Sequence, residues 1–244
     1  MIGNIVAAQV GVPSGGGGNA PVAGSALWLD ASDASTFTFS SGTRVSQWND
    51  KSGNSRNFSQ SSTGAQRALD SNVQNGLSAV AFGSGSVQWL SRSSFNWAGS
   101  AFTVFLVTKT TTGGNYQNIF ASDTLYGTSL AIDVSNAYSV FNIGAAAYAS
   151  NLSYTSGNAD VTSWKSAGQS AGSIAVYLRK NQVAASSVIN AGYTNTSSNA
   201  ALGAGNSGER YYGYVCEVLV YQSQLSAGDI TSNETYLKNK WGTP

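Results

Sequence analysis

Apolar and polar positions alternate in short runs along most of this chain, and clusters of Gly, Asn and Ser separate the runs. Ala26 to Leu29, Arg44 to Trp48 and Leu77 to Phe82 come first. Phe102 to Lys109 is the longest early run, with Phe102, Val104 and Leu106 on one face and Phe105 and Val107 on the other. Apolar residues on both faces predict a strand covered on both sides. Gln117 to Ala121, Ser129 to Val134, Tyr138 to Ile143, Val161 to Lys165 and Ser173 to Arg179 follow. Lys180-Asn181-Gln182 then turns the last of these into Val183 to Val188, a hairpin signal. Roughly a dozen short strands at intervals of about 8–12 residues predict an all-β fold, a sandwich or barrel, with no βαβ alternation.

The C-terminal stretch departs from this period. Gly213 to Tyr221 reads as a strand rich in β-branched and aromatic residues. Ser226, with Asp229 three residues on, is a variant capping box, and Ile230, Leu237 and Trp241 share one helical face. Lys238 and Lys240 suit the last turn, and Gly242 suits the C′ position. One strand followed by one short covering helix is therefore expected at this end.

The first twelve residues are weakly apolar, and Pro13 to Pro21 forms a Gly-rich tether. The expected organisation is an arm at 1–12, a linker at 13–24 and a globular body at 25–244. Ile2, Ile5, Val6 and Val10 are the apolar positions with which such an arm would dock. The start lacks the basic region of a signal peptide, and Cys216 is the single cysteine, so synthesis in a reducing cytoplasm is expected.

Composition narrows the chemistry. Charged residues make up 9% of the 244, the net charge is +1, and hydrophobic content is 41%, enough for a packed core. Charge this sparse and balanced gives no footprint for nucleic acid, and no apolar run approaches a membrane-spanning length. The absence of histidine removes His-dependent triads and imidazole metal sites. Cys216, inside an apolar strand, reads as a buried thiol. Of three glutamates, Glu217 lies mid-strand with Val215, Leu219 and Tyr221 assigned to its face. It reads as a satisfied structural carboxylate; a catalytic acid would need a second carboxylate, which that strand lacks. Gly203 to Gly208 matches G-x-G-x-x-G but leads into a strand, so a Gly-rich turn explains it better than a dinucleotide site.

Two site readings remain. Asp30, Asp33 and Asp50 could supply oxygens to a calcium ion, although local Asx turns are the preferred reading. Trp97, Tyr116, Tyr148, Tyr154, Tyr211 and Tyr212 fall off the strand pattern and could act as stacking platforms for sugars. No other cofactor is called for.

Several pieces, in order, resemble the concanavalin A-like (laminin G-like, pentraxin-like) jelly-roll family. They are Leu29 to Asp33, Trp48 to Asn54, Asn75 to Phe82, Phe102 to Val107, Gly213 to Tyr221, Leu225-Ser226 and Tyr236 to Gly242. The resemblance spans roughly residues 25–242 and implies a two-sheet antiparallel jelly-roll sandwich that binds carbohydrates or proteins, sometimes through calcium. The E-x-D-x-x-E strand of the family's glucanases is absent. Met1 to Val6 also resembles the start of small structural proteins of tailed bacteriophages. Together these imply a non-enzymatic virion surface protein, a tail or head appendage or decoration module. Its arm would contact other virion proteins, its body would meet a host-surface glycan, and it would form a homo-oligomer of unspecified copy number. The alternatives are a stand-alone carbohydrate-binding module and a glycan-degrading enzyme.

Overall fold

The structure, a computed structural model, describes residues 20–83, 88–122, 127–142, 147–170, 172–192, 198–203 and 209–244. The expected arm, with Ile2, Ile5, Val6 and Val10, and the linker up to residue 19 lie outside these. In chain order the described strands are β1 (Leu27–Asp30), β2 (Phe37–Ser41), β3 (Arg44–Trp48), β4 (Phe58–Ser59), β5 (Arg67–Gln74), β6 (Leu77–Phe82) and β7 (Leu90–Arg92). They continue with β8 (Phe102–Thr110), β9 (Gln117–Ala121), β10 (Thr128–Ile132), β11 (Ala137–Asn142), β12 (Ala147–Ser153), β13 (Ala159–Ser166) and β14 (Gln169–Ser170). The last are β15 (Ser173–Lys180), β16 (Val183–Ala184), β17 (Ile189–Gly192), β18 (Ala200–Leu202) and β19 (Gly213–Tyr221), followed by helix α1 (Ala227–Trp241). The domain is all-β and antiparallel with one C-terminal helix, as its alternating pattern predicts.

Two runs of paired strands make the layers. In the first, β1 and β6 share one edge of β19, whose other edge pairs with β8, then β13, β15 and β16. In the second, β3, β4, β7, β18, β9, β10, β11 and β12 follow one another. Pairing of β6 with β5 and of β5 with β3 joins the two. The runs meet through large rings: Tyr138 of β11 stands edge-on to Trp164 of β13 at 6.1 Å, and Trp97 bridges Phe102 of β8 and Phe120 of β9 at 5.1 and 4.8 Å. Such pairs bury large apolar area and interlock in offset or edge-to-face geometry.

Strand β8 is buried along almost its whole length. Its Phe102 face meets the second run. Its Phe105 face lies under α1, with Phe105 edge-on to Tyr221 at 6.1 Å. Both faces are thus apolar because both are covered. A bulge at Cys216 shifts the β19–β8 register, so Val215 pairs with Thr108 while Glu217 pairs with Val107. Neighbours on β8 point to opposite faces, so Val215 leaves the face of Glu217 to which strict alternation assigned it.

Helix α1 ends as its sequence dictates. The Ser226 hydroxyl accepts from the Asp229 N–H at 3.1 Å, and Gly242 adopts φ 61° while its N–H donates to Lys238 O. Asparagine 181 and Gln182 both have positive φ, which closes the β15–β16 hairpin in two residues. That hairpin is shorter than the predicted Val183 to Val188 partner strand: the chain leaves after Ala184 and returns as β17 against the first half of β15.

Candidate functional site

Under α1, the polar residues of the sheet face form one network. Glu217 is fully buried and accepts four hydrogen bonds, from Trp28 Nε1 (2.8 Å), Tyr236 Oη (2.9 Å), Lys240 Nζ (2.7 Å) and Trp241 Nε1 (2.7 Å). A carboxylate offers about four acceptor sites, so this one is saturated. Lys240 also donates to Asp30 Oδ1 at 2.7 Å, and Lys51 links Asp30 and Asp33 at 2.9 Å each. Burial pushes the Glu217 carboxyl above its ordinary value, with Lys240 and Trp241 pulling the other way. Burial opposes ionisation of Asp30 too, but the Lys240 ammonium, Ser32 and Lys51 hold it below its ordinary value. Hydrogen bonds from Lys51 and Ser35 lower Asp33 to about 2. Glu234 makes a second staple, accepting from Ser163 Oγ at 2.6 Å and from Arg179 Nε at 2.9 Å. These groups clamp helix to sheet; their acceptors are taken by the protein itself.

The network has a readable pH signature. The folded-state carboxyls of Asp30 and Asp33 lie below the unfolded value of 3.8, so their contribution is present above it and lost as pH falls through the folded values. Glu217 is raised, so its contribution is complete below its unfolded value of 4.5 and stays constant in that range. Denaturation midpoints should therefore fall between about pH 4 and pH 2, and Asp33→Asn should flatten part of that fall. An equal fall in the variant would contradict the assignment.

The three aspartates weighed as calcium ligands make the Asx turns of the preferred reading. Asp30, Asp33 and Asp50 each accept from the N–H two residues on, at Ser32, Ser35 and Ser52. Asp50 also accepts from the N–H groups of Trp28 and Arg56. Among the described residues no group of three or more His, Cys, Asp or Glu is placed to hold a metal ion. Cys216 is buried, and burial pushes its thiol well up. Only Gly203 of the glycine-patterned run falls within the described residues.

Of the six expected stacking aromatics, three are buried. Trp97 is 0% exposed and donates Nε1 to Ala121 O. Tyr211 is buried with its hydroxyl on Thr110 Oγ1 and Tyr214 O, and Tyr154 is buried against Asn136. A ring packed on both faces offers no platform, so these three serve the core. Tyr116 and Tyr148 are half-buried. Tyr212, also half-buried, lines a polar pocket that contains none of the other five.

A different aromatic is presented. Tyr177 of β15 is 51% exposed and stands in a groove of about 340 Å³ between the sheet and the first turns of α1. Ala227, Ile230 and Thr231 form the helix wall, and Ala184 to Val188 form the opposite wall. Ser163, Leu178 and Arg179 line it as well, and Lys165 Nζ lies 5.8 Å from the Tyr177 ring centroid. Arg179 is tied to Glu234 and to Gln182 O, which fixes that side. One apolar ring face, serine and threonine hydroxyls and a lysine thus converge in a concave site of ligand size. Period-two alternation places Tyr177 and Arg179 on one face, opposite Ile174, Val176 and Leu178. What it does not show is that the chain after β16 turns away and leaves that face open.

At the level of sequence, no protein family and no curated protein matches the chain. Solved structures do resemble it. A sialidase of Trypanosoma rangeli in complex with 2,3-difluoro-KDN matches with TM-score 0.59 at 13% identity, over 91% of this chain and 34% of the sialidase. The same enzyme in complex with sialic acid gives 0.57 at 13% identity. Domain 4 of AbnA, a GH43 extracellular arabinanase from Geobacillus stearothermophilus in complex with arabinotriose, gives 0.54 at 15% identity, over 76% of this chain and 92% of that domain. The chain spans about a third of the length of the sialidase. Identities this low make the likeness one of fold: a large antiparallel β domain found in carbohydrate-active proteins.

Proposed function

We propose that this chain is a non-catalytic carbohydrate-binding domain whose sugar lies in the Tyr177 groove. The carrying observation is the half-exposed Tyr177 ring in a walled cleft, flanked by hydroxyls and Lys165. The C–H face of a sugar packs on such a ring while its hydroxyls bond the polar rim. The likeness to a domain solved with arabinotriose, over 92% of that domain and 76% of this chain, supports this reading over an enzymatic one. So do Glu217 and Glu234, whose carboxylates are engaged by internal donors. Of the expected readings, the one these likenesses support is the carbohydrate-binding module; they do not bear on the virion appendage.

The test is glycan-array binding by the intact chain, followed by titration of the best-bound oligosaccharide into wild type and Tyr177→Ala. Tyr177 is a surface residue, so the variant should fold as stably as wild type. Its affinity should fall about tenfold or more, as expected for loss of an aromatic anchor. Binding unchanged in Tyr177→Ala would place the sugar elsewhere, and no glycan bound at all would sink the reading.

A further inference from the structure

Far along the sheet from that groove, the first residue of β5 is a buried arginine without an acidic partner. Arg67 is 4% exposed, and its Nη groups donate to Ala81 O, Gln66 O and Gln88 Oε1. Its Nε has no hydrogen-bond partner among the described residues. The ion pairs among the described residues involve Lys51, Arg179, Lys180 and Lys240, and none involves Arg67 or Arg44. Both arginines line one pocket of about 680 Å³ together with Gln66, Gln88, Tyr212 and Tyr214, and among the described residues no carboxylate lines it. Burying a guanidinium beside a second one is costly unless an anion offsets it. Burial and the Arg44 charge accordingly lower Arg67 to about 9.

The geometry points to a second binding site here, for the oxyanion of an acidic saccharide, carboxylated or sulfated. Guanidinium forks match the paired oxygens of such a group. Tyr212 and Tyr214, both half-buried, flank the arginines and give the sugar ring an apolar contact. Gln88 and Thr112 line the same pocket and supply amide and hydroxyl partners. This site does not depend on the Tyr177 groove, and either can fail alone.

The probes are D-glucuronate, glucose 6-sulfate, inorganic sulfate and neutral glucose, titrated into the isotopically labelled intact chain while the Arg67 Nε–H signal and the Tyr212 and Tyr214 amides are followed by NMR. Either sugar acid, or both, should move these signals saturably, and glucose should not. The sugar acid that binds identifies the oxyanion, carboxylate or sulfate. Arg44→Gln, an exposed position, should weaken that binding about tenfold, and higher salt should weaken it too. Tyr177→Ala should leave it unchanged. Three results would overturn the inference: no response to either sugar acid, equal shifts with glucose, or inorganic sulfate binding as well as the sugar acid. The last would show an anion site with no sugar recognition. An affinity unaffected by Arg44→Gln would overturn it as well.

Discussion

Trp241→Ala should lower the unfolding free energy by about 3–5 kcal/mol, the range for truncating a fully buried large side chain. Trp241 is 0% exposed at the last position of α1, and its Nε1 is one of the four donors on Glu217. The substitution therefore opens a cavity and removes a charge-assisted hydrogen bond from a buried carboxylate. Trp241→Phe separates the two effects, because it keeps most of the packing and loses only the donor; its cost should be clearly smaller. Unchanged melting for Trp241→Ala would mean that the helix is merely appended to the sandwich.

Lys240→Met should cost a similar amount, about 3–5 kcal/mol, for a different reason. Its ammonium sits 2.7 Å from both Asp30 Oδ1 and Glu217 Oε2, and the two carboxylates are 5% and 0% exposed. Removing it leaves the buried Glu217 carboxylate without its cation and facing Asp30, which keeps only Lys51. Such a pair relieves itself by taking up a proton, so the loss should grow with pH above about 5. Adding Glu217→Gln should recover part of the loss, since one of the two charges then disappears. If Lys240→Met costs less than about 1 kcal/mol, the pair behaves as an exposed salt bridge and the clamp assigned to this network is not one.

These two effects fall where the sequence was most legible. The β8 run is apolar on both faces because one faces the second layer and the other faces α1. The C-terminal helix carries its own start and stop: Ser226 with Asp229, and Gly242. Among the strands that escaped are β5, β2 and the three-residue, fully buried β18. β5, from Arg67 to Gln74, is mostly polar and half-exposed and has no alternation to read, and β2 leaves all but Phe37 exposed, with only Phe37 and Phe39 to mark its period. Such segments become strands because neighbours pair with them, which is a property of the sheet and not of the segment.

The proposed binding surface was less legible for the same reason. Off-strand aromatics look exposed in a sequence, yet Trp97 and Tyr211 are covered by strands distant along the chain. Tyr177 sits inside a regular strand, and its exposure depends on where α1 and the segment after β16 end. Arg67 gives no sign at all in the sequence, since its isolation from any carboxylate is a fact of packing. The aspartates went the other way. Asp30, Asp33 and Asp50 stand two residues before Ser32, Ser35 and Ser52, and that spacing already described the Asx turns they make.

The most direct measurement of the carbohydrate-binding claim is to map where the best-bound oligosaccharide perturbs the backbone amides of the labelled chain. The changes should cluster at Lys165, Tyr177 to Arg179, Ser186 to Val188 and the first turn of α1, and they should vanish in Tyr177→Ala. Perturbations confined to the rest of the surface, with that cluster silent, would contradict the account.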